Sequence, residues 1–442
     1  MSHPTEAPEP ETPRRRKWTI PRVLGLVTLI GLLAGGTLWW LSSRGVQHRL
    51  AEMRAKGLPT TARGINAFHV VPAGVADCTL AWIAAGKSAE AAAASVAANA
   101  LPIIGKDCAD CEIPPPGDPW DKREAVEKFL SDNAALIESI RKAAAIGGQV
   151  RFPVDYSAGF MADLLDTQRM RGISRILQLD AQASAHRGDA RRVLQDIHDQ
   201  LTLSEALRGE PTVISQLVRY ALNSMAVSGI EKLAPDLNWS DEELRGMQAR
   251  LSAMTFEQGI QRALAGETAF ILEQMNQVPL GPLRGTNQAL LLDLMDESIE
   301  AFNHPWPESF QRQSAAVAKL KQKIGTSFLS KRYAMLSFYT PSLEQIRNAT
   351  GRQVAKLRMA TIALACYRHH RLHGTWPESL DKVDTKLLGV LRDPLIDPFT
   401  GQPFLLRQDE TGWLIYSAGH NEKDDQGDER LDVPFQIGFK RP

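Results

Sequence analysis

Four cysteines and a run of closely spaced histidines are the residues of this 442-residue sequence best suited to chemistry. Cys108-Ala-Asp-Cys111 is a C-x-x-C pair. Glu112 follows it, so the histidine needed to attach a c-type haem is missing, and no second pair lies nearby to complete a zinc site. A thioredoxin-like pair opens a helix after a strand, whereas this one precedes the chain break Ile113-Pro-Pro-Pro-Gly117. In an oxidising compartment the expected outcome is a Cys108–Cys111 disulfide, with Cys78 competing for either thiol. Cys366, in an apolar helical stretch, reads as a buried free thiol.

His369 and His373 stand four apart, which on a helix puts both imidazoles on one face, within reach of one zinc ion. A zinc hydrolase needs a third ligand and a general base, and no Glu lies inside this stretch. Arg368 and Arg371 interleave with His369, His370 and His373, and cations suit the C-terminal end of a helix, so the plainer reading is a basic helix end. No nucleophile-elbow, phosphate-loop or dinucleotide fingerprint occurs, so no catalytic residue is assigned.

Lys plus Arg equals Asp plus Glu at 51 each, a balance that gives no reason to expect nucleic acid as a partner. Aromatic residues are 7% of the chain, and Ala and Leu abound, which favours helices. The one long uncharged apolar run is Val23–Leu41, nineteen residues, enough at helical rise to cover a hydrocarbon core of about 30 Å. Arg14, Arg15, Arg16, Lys17 and Arg22 precede it, and Trp39 and Trp40 sit at its far end. The expectation is a single-pass helix in a bacterial inner membrane with an extracytoplasmic body. A cleaved signal peptide and a twin-arginine signal are the alternatives, the first disfavoured by the absence of a small-residue cleavage site.

The elements that must position these residues follow from periodicity. The fold class expected is mainly α: an N-terminal transmembrane helix, an irregular α-helical array and a small C-terminal α+β module. The boundaries are a disordered tail over 1–17, the membrane segment over 18–42, and a linker with the Ala-rich stretch and C-x-x-C over 43–117. A helical domain over 118–340 and the α+β module over 341–442 follow. Asp118-Pro119 predicts a helix start running to Ile146, Ser240 with Glu243 a capping box, and Ser342 with Gln345 the start of a long helix ended by Gly374. Phe404–Arg407, Trp413–Tyr416 and Val433–Phe439 read as short strands, and Asp393-Pro394 to Gly401 as turns.

Three ordered segments carry a family resemblance. A helix ends in Tyr367-Arg-His-His-Arg-Leu-His-Gly374-Thr-Trp376-Pro377-Glu-Ser-Leu380, Asp397-Pro398-Phe399-Thr-Gly401-Gln-Pro403-Phe404 follows, and Gly412-Trp-Leu-Ile-Tyr416-Ser417-Ala-Gly419 leads into an acidic loop. This pattern, over about residues 342–442, resembles the globular part of bacterial pseudopilins, above all the major pseudopilin of type II secretion. The resemblance implies a helix packed on a small sheet and a loop that holds calcium. Here Asp424, Asp425, Asp428 and Asp432, around Gly427, would supply oxygens to that ion. The function expected is that of a non-enzymatic interaction or scaffold protein of the cell envelope, with envelope proteins as partners. A component related to a type II secretion or pilus-like apparatus, and an extracytoplasmic metal-dependent hydrolase, are the alternatives.

Overall fold

The computed structural model of the protein describes residues 20–325, 333–388, 395–409 and 412–438. The tail expected over 1–17, with its arginines, and the Asp393-Pro394 turn lie outside the described residues.

α1 (Ile20–Ala55) is a continuous 36-residue helix with two unlike halves. Its C-terminal half buries Val46 and Met53 against the body, and Arg49 pairs with Asp293 and donates to the Ala289 carbonyl at 3.2 Å, both on α11 (Arg284–Ala301). The N-terminal half leaves Leu24, Val27, Ile30 and Leu33 facing outward. The expected transmembrane helix is corrected here: among the described residues no helix is long and apolar enough to cross a membrane. The helix continues from the Val23–Leu41 run into the charged, docked half.

The rest is an array of helices around two apolar cores, closed at one end by a sheet. α3 (Thr79–Ala93), α4 (Arg123–Asp132), α5 (Ala134–Ile146) and α6 (Leu165–His186) surround one core, in which Trp82, Phe129, Ile140 and Ile176 are buried. The helix expected from Asp118 to Ile146 starts later and is split at Asn133, whose amide side chain donates to the Phe129 carbonyl instead of letting the helix run on. α7 (Ala190–Ala206) and α8 (Val213–Leu233) pack on α6 and lead into the second core. This core is completed by α9 (Asp241–Ser252), α10 (Glu257–Gln277), α12 (Glu308–Ile324) and α13 (Ala334–His373). Ser240 and Glu243 form the reciprocal capping box that the spacing predicts, and Gly374 ends α13 in the left-handed conformation at φ 73°. α13 begins eight residues before Ser342, with Pro341 inside it, so Ser342 is no cap.

β1 (Leu405–Asp409), β2 (Gly412–Ser417) and β3 (Val433–Gly438) form an antiparallel sheet in sequence order. Trp413, Ile415, Val433, Phe435 and Ile437 are buried in the same core as Leu357, Ala360 and Leu364 of α13. The sheet also reaches α8, where the Gln436 amide donates to Glu231 at 2.7 Å. The mainly helical class with a small C-terminal sheet is therefore as the sequence implied. A single core joins the sheet to α7–α13 without a break at residue 341.

Candidate functional site

Two of the three segments that carry the family resemblance meet around Asp397, while the first reaches β3, where Tyr367 Oη donates to the Gly438 carbonyl at 3.3 Å. The Asp397 carboxylate is 2% exposed and takes four hydrogen bonds. Oδ1 accepts from the Phe399 amide at 3.0 Å and Ser417 Oγ at 2.8 Å; Oδ2 accepts from the Ala418 amide at 3.1 Å and Thr400 Oγ1 at 3.3 Å. Burial raises its pKa, partly offset by these donors. The turn thus fastened drives the Phe399 ring against Gly351 of α13, where an added Cβ would stand 2.7 Å from Phe399 Cζ. Phe310 meets the same ring edge-on at 5.0 Å.

The acidic loop follows β2, and each of its aspartates is used locally. Asp424 Oδ1 accepts from Tyr416 Oη at 3.0 Å and the Gln426 amide at 2.9 Å. Asp425 accepts from Asn421 at 2.7 Å, Asp428 from the Arg430 amide at 2.9 Å, and Asp432 Oδ2 from the Gly427 amide at 2.7 Å. Arg352 of α13 ties the loop down through the carbonyls of Asp432 at 3.0 Å and Glu429 at 3.2 Å. Asp432 is fully buried, its Oδ1 has no partner, and its pKa is raised by burial and by the charges of Asp425 and Asp424. Among the described residues no group of three His, Cys, Asp or Glu side chains is gathered to hold a metal ion.

His369 and His373 do share a face, their rings 4.5 Å apart, while His370 stacks flat on Trp376 at 4.6 Å. Burial, then the neighbouring His373, lowers the His369 pKa. Arg368 anchors this helix end to α9, donating to Asp241 at 2.7 Å and to Gln248 at 2.9 Å. Cys108 and Cys111 are joined as a disulfide, and Cys78 and Cys366 are buried free thiols. Burial pushes the Cys78 thiol up to about 11 and the Cys366 thiol up to about 12, which leaves both unreactive near neutrality.

A buried polar chain escaped the sequence reasoning. His69 lies just past α2 (Ala62–Phe68), Tyr156 opens the short helical turn Tyr156–Met161, and Glu210 sits in the Gly209-Glu-Pro break before α8. Tyr156 Oη and His69 Nδ1 are 3.2 Å apart, and His69 Nε2 stands 3.3 Å from Glu210 Oε1. Glu210 Oε2 accepts from Ser215 Oγ at 3.2 Å, which in turn lies 2.8 Å from Thr212 Oγ1, the N-cap of α8. Arg262 of α10 covers the chain, donating to the Gly209 carbonyl at 2.9 Å and stacking over Phe68. His69, Tyr156 and Glu210 are all 2% exposed or less, so these atoms are sealed from any substrate and join α2, α8 and α10. A charged residue between Gly and Pro was the only local signal, since His69 and Glu210 are 141 positions apart in sequence.

No protein-family model, no curated protein and no solved structure matches the chain.

Proposed function

We propose that this protein is a non-enzymatic interaction or scaffold protein of a bacterial cell envelope, in contact with a lipid bilayer through Val23–Leu41, its body extracytoplasmic. The observation that carries this reading is the outward-facing apolar start of α1. Leu24, Val27 and Leu33 are 62%, 64% and 62% exposed on a helix whose other half is docked on α11. Such a run of large apolar side chains loses free energy in water at about 25 cal/mol per Å² and gains it back against acyl chains. Half-exposed Trp40 lies 4.6 Å beneath the Arg44 guanidinium, a pairing suited to the headgroup layer. The Cys108–Cys111 disulfide supports an oxidising compartment.

The C-terminal module favours, as a second reading, a place beside a type II secretion or pilus-like apparatus. Its supporting observation is that two of the three pseudopilin-like segments are fastened to each other through Asp397, which accepts from Phe399, Ser417 and Ala418. Crosslinking in native envelopes, followed by identification of the captured proteins, tests both. Envelope proteins outside any secretion apparatus support the first reading, secretion components put the second ahead, and capture of cytoplasmic proteins alone contradicts both.

A further inference from the structure

The end of α13 carries three histidines and two arginines, and the helix sorts them onto different faces. Arg368 is turned to α9 by its bonds to Asp241 and Gln248, and the charge of Arg371 acts on Asp241 and Glu243 of the same helix. His370 is taken by the flat stack on Trp376. His369 and His373 are left together one turn apart, with 4.5 Å between ring centroids. At helical pitch this pair lies about 150° around the axis from the two arginines. The cations that make a plain basic helix end the simpler reading of the sequence are therefore drawn to α9, away from the two imidazoles.

What surrounds the pair favours a positive ion. The carboxylate of Asp384 acts on His369 from the segment after the helix, and one of its oxygens is fixed by the Lys386 amide at 2.9 Å. The last carbonyls of α13 add the negative end of the helix dipole. His373 is exposed and His369 half-buried, and among the described residues neither ring makes a hydrogen bond or an ion pair. Nδ1 of His369 is buried, so an ion approaches that ring through Nε2.

We propose that His369 and His373 together bind one divalent transition-metal ion of the kind imidazole favours, zinc among them. His369 coordinates through Nε2 and His373 through a ring nitrogen, Asp384 is the nearby countercharge, and water fills the remaining positions. Two side chains are gathered and not three, and the buried Nδ1 of His369 has no acceptor to steady the ring. The affinity is therefore modest, with Kd on the order of tens of micromolar. The site is independent of lipid contact by α1 and adds a metal contact to the proposed interaction role.

The test titrates zinc sulfate into chelator-treated full-length protein in detergent, followed by calorimetry. Saturable binding is expected, and His373→Ala, at an exposed position, should weaken it about tenfold or more. His48→Ala removes the exposed histidine that stands 3.4 Å from Glu52 on α1 and should leave binding unchanged. No saturation of the unaltered protein below about 1 mM zinc overturns the proposal. So does a folded His373→Ala variant that binds as the unaltered protein does, or a loss on His48→Ala as large as that on His373→Ala.

Discussion

Asp397 Oδ1 accepts the Ser417 hydroxyl at 2.8 Å, and through this bond the turn before β1 is tied to the end of β2. The same carboxylate holds the Phe399 and Ala418 amides, so one buried side chain sets where the turn, the sheet and α13 meet. Replacing Asp397 with Ala strands these donors and should cost about 3 kcal/mol, with the loss read as faster amide exchange in β1 and β2 before the helical array. Uniform loss across the chain would contradict a local role.

Glu267 gives a pH dependence with a defined sign. Burial raises its pKa to about 7 from an ordinary carboxylate value, and no charge among the described residues offsets that cost. A raised folded-state pKa means the stabilising contribution is complete below about 4.5 and is lost as pH rises through about 7. The loss is at most about 3 kcal/mol by linkage. Denaturant unfolding at pH 5 and pH 8 should show Glu267→Gln gaining on the wild-type protein at the higher pH. A constant difference between the two pH values would contradict the assignment.

Arg141 reaches from α5 to three carboxylates, standing 2.5 Å from Asp196, 2.9 Å from Asp199 and 3.5 Å from Asp180. Asp196 is fully buried, and burial, then Asp180, pushes its pKa well above the usual carboxylate range. Arg141→Met should therefore cost about 3–5 kcal/mol, because it leaves Asp196 desolvated without its nearest cation. Adding Asp196→Asn to that variant should restore about 1–3 kcal/mol, measured as a double-mutant coupling. Simple additivity would show that the pair does not act as a unit.

The cysteines predict a thiol count. Denatured without reductant, the chain should titrate two thiols, from Cys78 and Cys366, and four after reduction. In the native state both free thiols should react slowly, given their burial. The bridge spans three positions, so Cys108→Ser with Cys111→Ser should cost no more than about 2 kcal/mol on the chain-entropy estimate. Four thiols in the unreduced, denatured chain would contradict the disulfide.

Much of the local structure was written in local sequence. Ser240 with Glu243, Gly374 and the three strands each rest on residues close to one another in sequence. The misread starts at Asp118 and Ser342 have a common cause. Both carry cap-like residues beside proline, but tertiary packing begins α4 later and α13 earlier than capping alone would. The polar chain His69–Glu210 and the Arg141 network were not legible, because their partners are brought together only when helices far apart in sequence pack.

Vesicle flotation of the full-length chain tests the central claim most directly. A variant in which Leu26, Leu29, Ile30 and Leu33 are each changed to Ser should serve as the comparison. All four side chains face outward, so the fold of the body should survive the change, which its melt will show. The account predicts that the wild-type chain floats with the vesicles and that the variant remains in the soluble fraction. A wild-type chain that stays soluble, or a folded variant that floats equally well, would contradict lipid contact through α1.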